Sequence, residues 1–80
     1  MISFEFEGNQ FEADETLLED YEFMCNALTA DESPSALVHC FRDLFCGKDR
    51  EYAKVVGGKF TKMAELLSAA IRAAGENAKN

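Results

Sequence analysis

Residues 2–13 read Ile2-Ser3-Phe4-Glu5-Phe6-Glu7-Gly8-Asn9-Gln10-Phe11-Glu12-Ala13. Ile2, Phe4 and Phe6 alternate with Ser3, Glu5 and Glu7, the period of a half-buried strand. Gly8-Asn9 supplies a two-residue turn, because both residues tolerate the positive φ that a tight hairpin demands. The stretch therefore predicts a β-hairpin. With this turn Phe6 faces Phe11 and Phe4 faces Ala13 on one side, and Glu5 faces Glu12 on the other. Cross-strand aromatic pairs stabilise such a hairpin by about 0.2–1 kcal/mol each, too little for a two-stranded sheet to stand alone. The aromatic face must therefore pack on helices. The like-charged face carrying Glu5, Glu7 and Glu12 must be wet or meet something basic.

Downstream, the pattern turns helical. Asp14 is placed to cap a first helix, with Glu15 favoured in its first turn by the helix dipole. Leu17, Tyr21, Met24 and Leu28 follow at i, i+4, i+7 and i+11, flanked by Leu18 and Cys25, which predicts one amphipathic helix. Phe23 falls off that stripe, roughly 120° from its centre at ~100° per residue. It is expected to be exposed and is a candidate contact residue. Ser33 caps a second helix with Pro34 at its first position; Leu37, Phe41 and Leu44 form its stripe, widened by Val38 and Phe45, and Gly47 closes it. Asp49 opens a short helix through Tyr52 and Val56 that ends at Gly57-Gly58. Thr61 opens a last helix carrying Met63, Leu66, Leu67, Ala70, Ile71 and Ala74, and Gly75 is expected to end it. The fold expected is mainly α (α+β): a short N-terminal β-hairpin packed on a bundle of three to four helices. It makes one domain over residues 1–75, with the hairpin at 2–13 and a frayed polar tail at 76–80.

The chain has 80 residues, 48% of them hydrophobic, and a net charge of −7. That length gives one domain, and the apolar fraction is too high for disorder. No apolar run approaches the ~20 residues of a membrane span. The first residues lack the basic region of a signal peptide. The acidity argues against nucleic-acid binding. The charge is also lopsided: residues 1–32 hold ten acids and no Lys or Arg, and residues 33–80 hold eight bases and five acids. This describes either a solvated acidic face or a bipolar molecule complementary to a partner or to its own next copy. Three cysteines, Cys25, Cys40 and Cys46, are an odd number, which predicts reduced thiols. A small domain without disulfides gains stability from association, so a homo-oligomer is expected.

Few residues offer chemistry. His39 and Cys40 are helix neighbours about 100° apart, and one His with three scattered Cys is a poor zinc set. His39 is expected on a polar helix face near Asp43, four residues on. Cys25 is expected to be a buried small hydrophobe, and Cys46, near a helix end, an exposed and oxidisable thiol. Gly57-Gly58-Lys59 lacks the first Gly, the preceding strand and the ending of a phosphate loop. No carboxylate lies in an apolar run that would raise its pKa for acid–base work. No catalytic residue, metal, cofactor or small-molecule substrate is expected.

The order of packing residues, turns and caps carries a resemblance. Phe4-Glu5-Phe6-Glu7-Gly8 opens the chain, and Leu17-Leu18-Glu19-Asp20-Tyr21-Glu22-Phe23 follows. Pro34 precedes Ala36-Leu37, and Phe41-Arg42-Asp43-Leu44-Phe45-Cys46-Gly47 ends a helix. Tyr52, Gly57-Gly58 and Lys62-Met63-Ala64-Glu65-Leu66-Leu67 complete it. Over roughly residues 2–75 the chain resembles the small tail assembly chaperones of long-tailed bacteriophages and prophages. The resemblance implies a non-enzymatic, mainly helical, self-associating factor of the bacterial host cytoplasm, absent from the mature virion. It implies binding to the tape-measure protein, kept soluble while tail-tube protein polymerises around it, and this chain as the shorter of two products of a frameshifting gene. Phe23, Tyr21, Glu22, Glu5, Glu7 and Glu12 are then the candidate partner-binding residues, through a helix laid in a groove or a strand added at the hairpin edge. The alternative is an acidic nucleic-acid mimic or inhibitor protein that presents Glu5, Glu7, Glu12, Glu15, Glu19 and Glu22 to a basic partner. The net +3 of residues 33–80 weighs against it.

Overall fold

A computed structural model describes residues 1–78, and side chains as far as residue 76. The chain runs β1 (Ile2–Phe6), β2 (Asn9–Ala13), a 3-10 turn (Glu15–Glu19), α1 (Tyr21–Leu28), α2 (Pro34–Leu44), α3 (Asp49–Val55) and α4 (Phe60–Ala78). The expected α+β architecture is present: an antiparallel hairpin packed on helices. α4 is the spine, touching both strands, the 3-10 turn, α2 and α3. Its buried face is Met63, Leu66, Leu67, Ala70 and Ala74, against Ile2, Phe4, Phe11 and Ala13 of the hairpin and Phe41, Leu44 and Phe45 from the α2 end. At about 1.5–3 kcal/mol for each large apolar side chain buried, this single cluster is the main source of stability.

The hairpin turns one residue earlier than expected. Glu7 and Gly8, not Gly8 and Asn9, occupy its centre, with φ of 49° and 83°, the positive values a type I′ turn requires. The register becomes Ile2↔Ala13, Ser3↔Glu12, Phe4↔Phe11, Glu5↔Gln10 and Phe6↔Asn9. This shift preserves which side chains share a face, so the aromatic face still enters the core. Its reward is a direct Phe4–Phe11 pair with ring centroids 5.9 Å apart. Its effect on the polar face is to separate Glu5 from Glu12, which now oppose Gln10 and Ser3.

The largest departure lies between residues 14 and 28. Asp14 does cap, its carboxylate accepting from the Thr16 N–H at 3.1 Å, but the helix it starts is a single 3-10 turn. The chain extends at Asp20 (φ −85°, ψ 123°), and the Asp20 carboxylate caps a second start by accepting from the Phe23 N–H at 2.9 Å. Two short helices thus replace one. The break resets the rotational phase, so periodicity extrapolated across Asp20 points to the wrong face of α1.

The later elements follow the pattern with small shifts. Ser33 caps α2 with Pro34 in its first turn, as expected. α2 closes with paired bonds from the Gly47 N–H to the Arg42 carbonyl (2.9 Å) and the Cys46 N–H to the Asp43 carbonyl (3.3 Å), a Schellman motif. The residue just past the cap is Cys46, at φ 54°, with Gly47 one place later. Asp49 lies in the first turn of α3 and makes no cap bond, since Lys48 holds the cap position. α4 starts at Phe60, one residue before Thr61, and passes through Gly75 to Ala78. Gly75 keeps a negative φ, so it costs the helix about 1 kcal/mol relative to Ala without ending it. Residues 76–78 are thus helical and not tail, and Lys79 and Asn80 of the expected tail lie outside the described residues.

Candidate protein-binding surface

The break at Asp20 decides what α1 shows to solvent. Phe23, expected outside, is 1% exposed and central to the core. It is therefore a packing residue and no contact residue. Tyr21 and Leu28, expected inside, are 73% and 79% exposed. Cys25, expected buried, is exposed between them. Tyr21, Cys25 and Leu28 stand at i, i+4 and i+7, so they form one continuous apolar ridge along the outside of α1. The neighbouring Cys25 thiol holds the Tyr21 pKa above the ordinary phenol value. Glu22 is exposed beside this ridge, and Glu19, Asp20, Asp31 and Glu32 are exposed at its two ends.

The acidic hairpin residues divide. Glu5 and Glu12 are exposed. Glu7 is held within the chain by Lys62, which also lies 3.4 Å from Glu65. Those two carboxylates, Glu7 foremost, raise the Lys62 pKa. Part of the basic partner sought for the wet face of the hairpin is thus its own α4. The Met1 ammonium donates to Glu15 Oε1 at 3.0 Å and lies 2.9 Å from Oε2, and this contact holds the Glu15 pKa below the usual carboxylate range.

The hairpin edge is less open than a lone two-stranded sheet would leave it. The Tyr52 hydroxyl accepts from the Glu12 N–H (3.2 Å) and donates to the Glu12 carbonyl (3.3 Å). Two residues along, the Asp14 N–H donates to the Leu44 carbonyl at 3.0 Å. Both backbone positions face away from β1, so the outer side of β2 is bonded by α3 at Glu12 and the chain just past it by the end of α2 at Asp14. Strand addition at those two positions is blocked. The Tyr52 ring is locked by edge-on contacts with Phe11 and Phe45, at centroid distances of 5.0 and 5.2 Å.

A second surface went unanticipated. α2, α3 and the start of α4 enclose an open cleft of about 320 Å³. Phe41 and Phe60 form its apolar wall, their rings edge-on at 5.7 Å. Arg42, Arg50 and Lys59 line it with a single acid, Asp49. Phe60 is 50% exposed there. The only sequence signal was the excess of bases after residue 32; nothing in the helical pattern brought these three together.

Of the remaining side chains with chemistry, Cys40 is fully buried, and burial, assisted by Asp43, raises its pKa. Cys46 is exposed, as expected, and His39 is exposed on α2. Among the described residues no three His, Cys, Asp or Glu side chains gather as a metal set, and no helix is long and apolar enough to cross a membrane. Comparison with protein-family models, curated proteins and solved structures finds nothing that matches this chain.

Proposed function

We propose that this protein is a non-enzymatic assembly chaperone that holds an apolar, helix-forming partner in solution. The observation that carries the proposal is the ridge of Tyr21, Cys25 and Leu28 on α1, apolar and exposed, with Glu19, Glu22 and Glu32 around it. An i, i+4, i+7 ridge fits the groove of an amphipathic partner helix. The surrounding acids keep the complex charged, hence dissolved. With the resemblance to tail assembly chaperones, the partner proposed is the tape-measure protein, held until tail-tube protein assembles on it, in the cytoplasm of a bacterial host.

The test is light scattering by a tape-measure fragment encoded beside this gene, with and without the protein. Suppression of aggregation is expected from the wild-type chain and is expected to be lost on Tyr21→Ser with Leu28→Asp. Because both positions are exposed, the variant should keep its helical circular dichroism. Unchanged aggregation in the presence of the wild-type chain would sink the proposal.

A further inference from the structure

The two surfaces just described are opposites in charge and alike in having an apolar centre. The α1 ridge is apolar with acids around it. The cleft between α2, α3 and α4 is apolar with Arg42, Arg50 and Lys59 around it. None of the cleft's lining residues comes from α1, so the ridge of one molecule leaves its own cleft free. We propose that the cleft receives the α1 ridge of a second copy, head to tail, with Tyr21 or Leu28 set against Phe41 and Phe60 and Glu22 facing the basic rim.

Size supports a side chain as the occupant. About 320 Å³ is at the floor of the ~300–1,000 Å³ range of small-molecule sites, and the cleft is open. It suits one or two side chains carried on a helix. Charge supports this particular helix: three bases against one acid demand an acidic partner, and residues 1–32, which contain α1, hold ten acids and no base. The contact is heterologous, so each bound copy presents a further free ridge and a further free cleft, and growth continues unless the ring closes. A standard interface covers roughly a tenth of a small protein's surface on each side. Here the whole surface is 5168 Å², so the patch falls below the usual ~800 Å² per partner. The affinity is accordingly weak, and the charge steers and orients the encounter more than it tightens it.

Sedimentation velocity over about 5–500 µM protein, with thiols kept reduced because Cys25 lies in the ridge, tests the proposal without any client. Its outcome is therefore separable from that of the aggregation assay. The wild-type chain is expected to show mass-average growth with concentration, reduced by 0.5 M salt. Arg50→Glu with Lys59→Glu reverses the cleft's charge, and Tyr21→Ala with Leu28→Asp removes the ridge. Each variant alone is expected to weaken association roughly tenfold or more. Mixed together they retain one good ridge and one good cleft, so they should form a heterodimer that grows no further. A wild-type chain that stays monomeric throughout overturns the proposal. So does a cleft variant that associates as well as wild type, which would indicate a ridge-to-ridge dimer, and so does a mixture that forms no heterodimer.

Discussion

Phe23 and Leu28 exchange the places that periodicity assigns them, and single substitutions separate the two arrangements. Phe23→Ala removes a buried ring and should cost about 3–5 kcal/mol, read as a fall in urea midpoint. Leu28→Ser on the exposed ridge should stay within about 0.5 kcal/mol. Equal losses at the two sites would contradict the burial described. Cys46 offers the opposite experiment. It sits past the end of α2 at φ 54°, a conformation that Gly adopts without the Cβ penalty. Its side chain is exposed, with its sulfur 3.8 Å from that of Met1. Cys46→Gly should therefore raise stability by about 0.5–1 kcal/mol; a loss would mean that the Met1 contact outweighs the backbone strain.

At the scale of elements, the hairpin and the Ser33-Pro34 start of α2 were legible because their signals are local. Alternation of Phe and Glu, Pro34 after Ser33, and Gly57-Gly58 each act within a few residues of the structure they specify. The hairpin register was harder, since Glu7-Gly8 and Gly8-Asn9 are both adequate turn pairs, and the choice falls to a tertiary event, the burial of Phe4 against Phe11. The break at Asp20 was illegible for a related reason. Asp20 reads as one more acid on a helix surface until its carboxylate is seen to cap Phe23, and one extended residue turns the following stripe outward. The ridge was consequently present in the sequence as Tyr21, Cys25 and Leu28, but periodicity assigned all three to the core, and only the resemblance named Tyr21 as a contact residue. The basic cleft had no comparable trace, because Arg42 and Arg50 come from two separate helices and Lys59 from the residue just before a third. The joint between hairpin and helices predicts its own measurement. Tyr52→Phe keeps both ring contacts and deletes both bonds to Glu12, so it should cost about 1 kcal/mol and speed amide exchange at Glu12 more than at residues of α4. Uniform acceleration throughout would show that the hydroxyl has no local role.

The whole molecule has a Cα radius of gyration of 11.6 Å, close to the ~11.6 Å expected of 80 residues in a compact globule. The hairpin is thus folded onto its own helices, and association adds to a complete core. Acidity acts on stability at this scale too. The Glu15 carboxyl, bonded to the Met1 ammonium, and the Asp14 carboxyl, bonded to the Thr16 hydroxyl at 2.6 Å, both have depressed pKa values in the fold. The unfolded state therefore takes up protons first as pH falls. Their stabilisation is present above the unfolded carboxylate value and lost as pH drops through the folded one, from about pH 5 downward. Lys62, raised by Glu7, contributes in the other sense, and its share is lost only as strongly alkaline pH is reached. The urea midpoint should fall below about pH 5, and Asp14→Ser, which keeps a capping oxygen that does not titrate there, should flatten the fall. An unchanged slope would remove Asp14 from the account.

The seal that Tyr52 places on β2 also has a consequence in time. Glu12 and Tyr52 are 40 residues apart in the chain. A ribosome adds roughly 5–20 residues per second, so the edge of the nascent hairpin waits about 2–8 s for the residue that closes it. During that interval the two-stranded hairpin, too weak to stand alone, lacks the residue that bonds its outer edge at Glu12. Glu5, Glu7 and Glu12 place like charge on this segment throughout that interval, and like charge on a strand edge is expected to disfavour pairing between neighbouring chains.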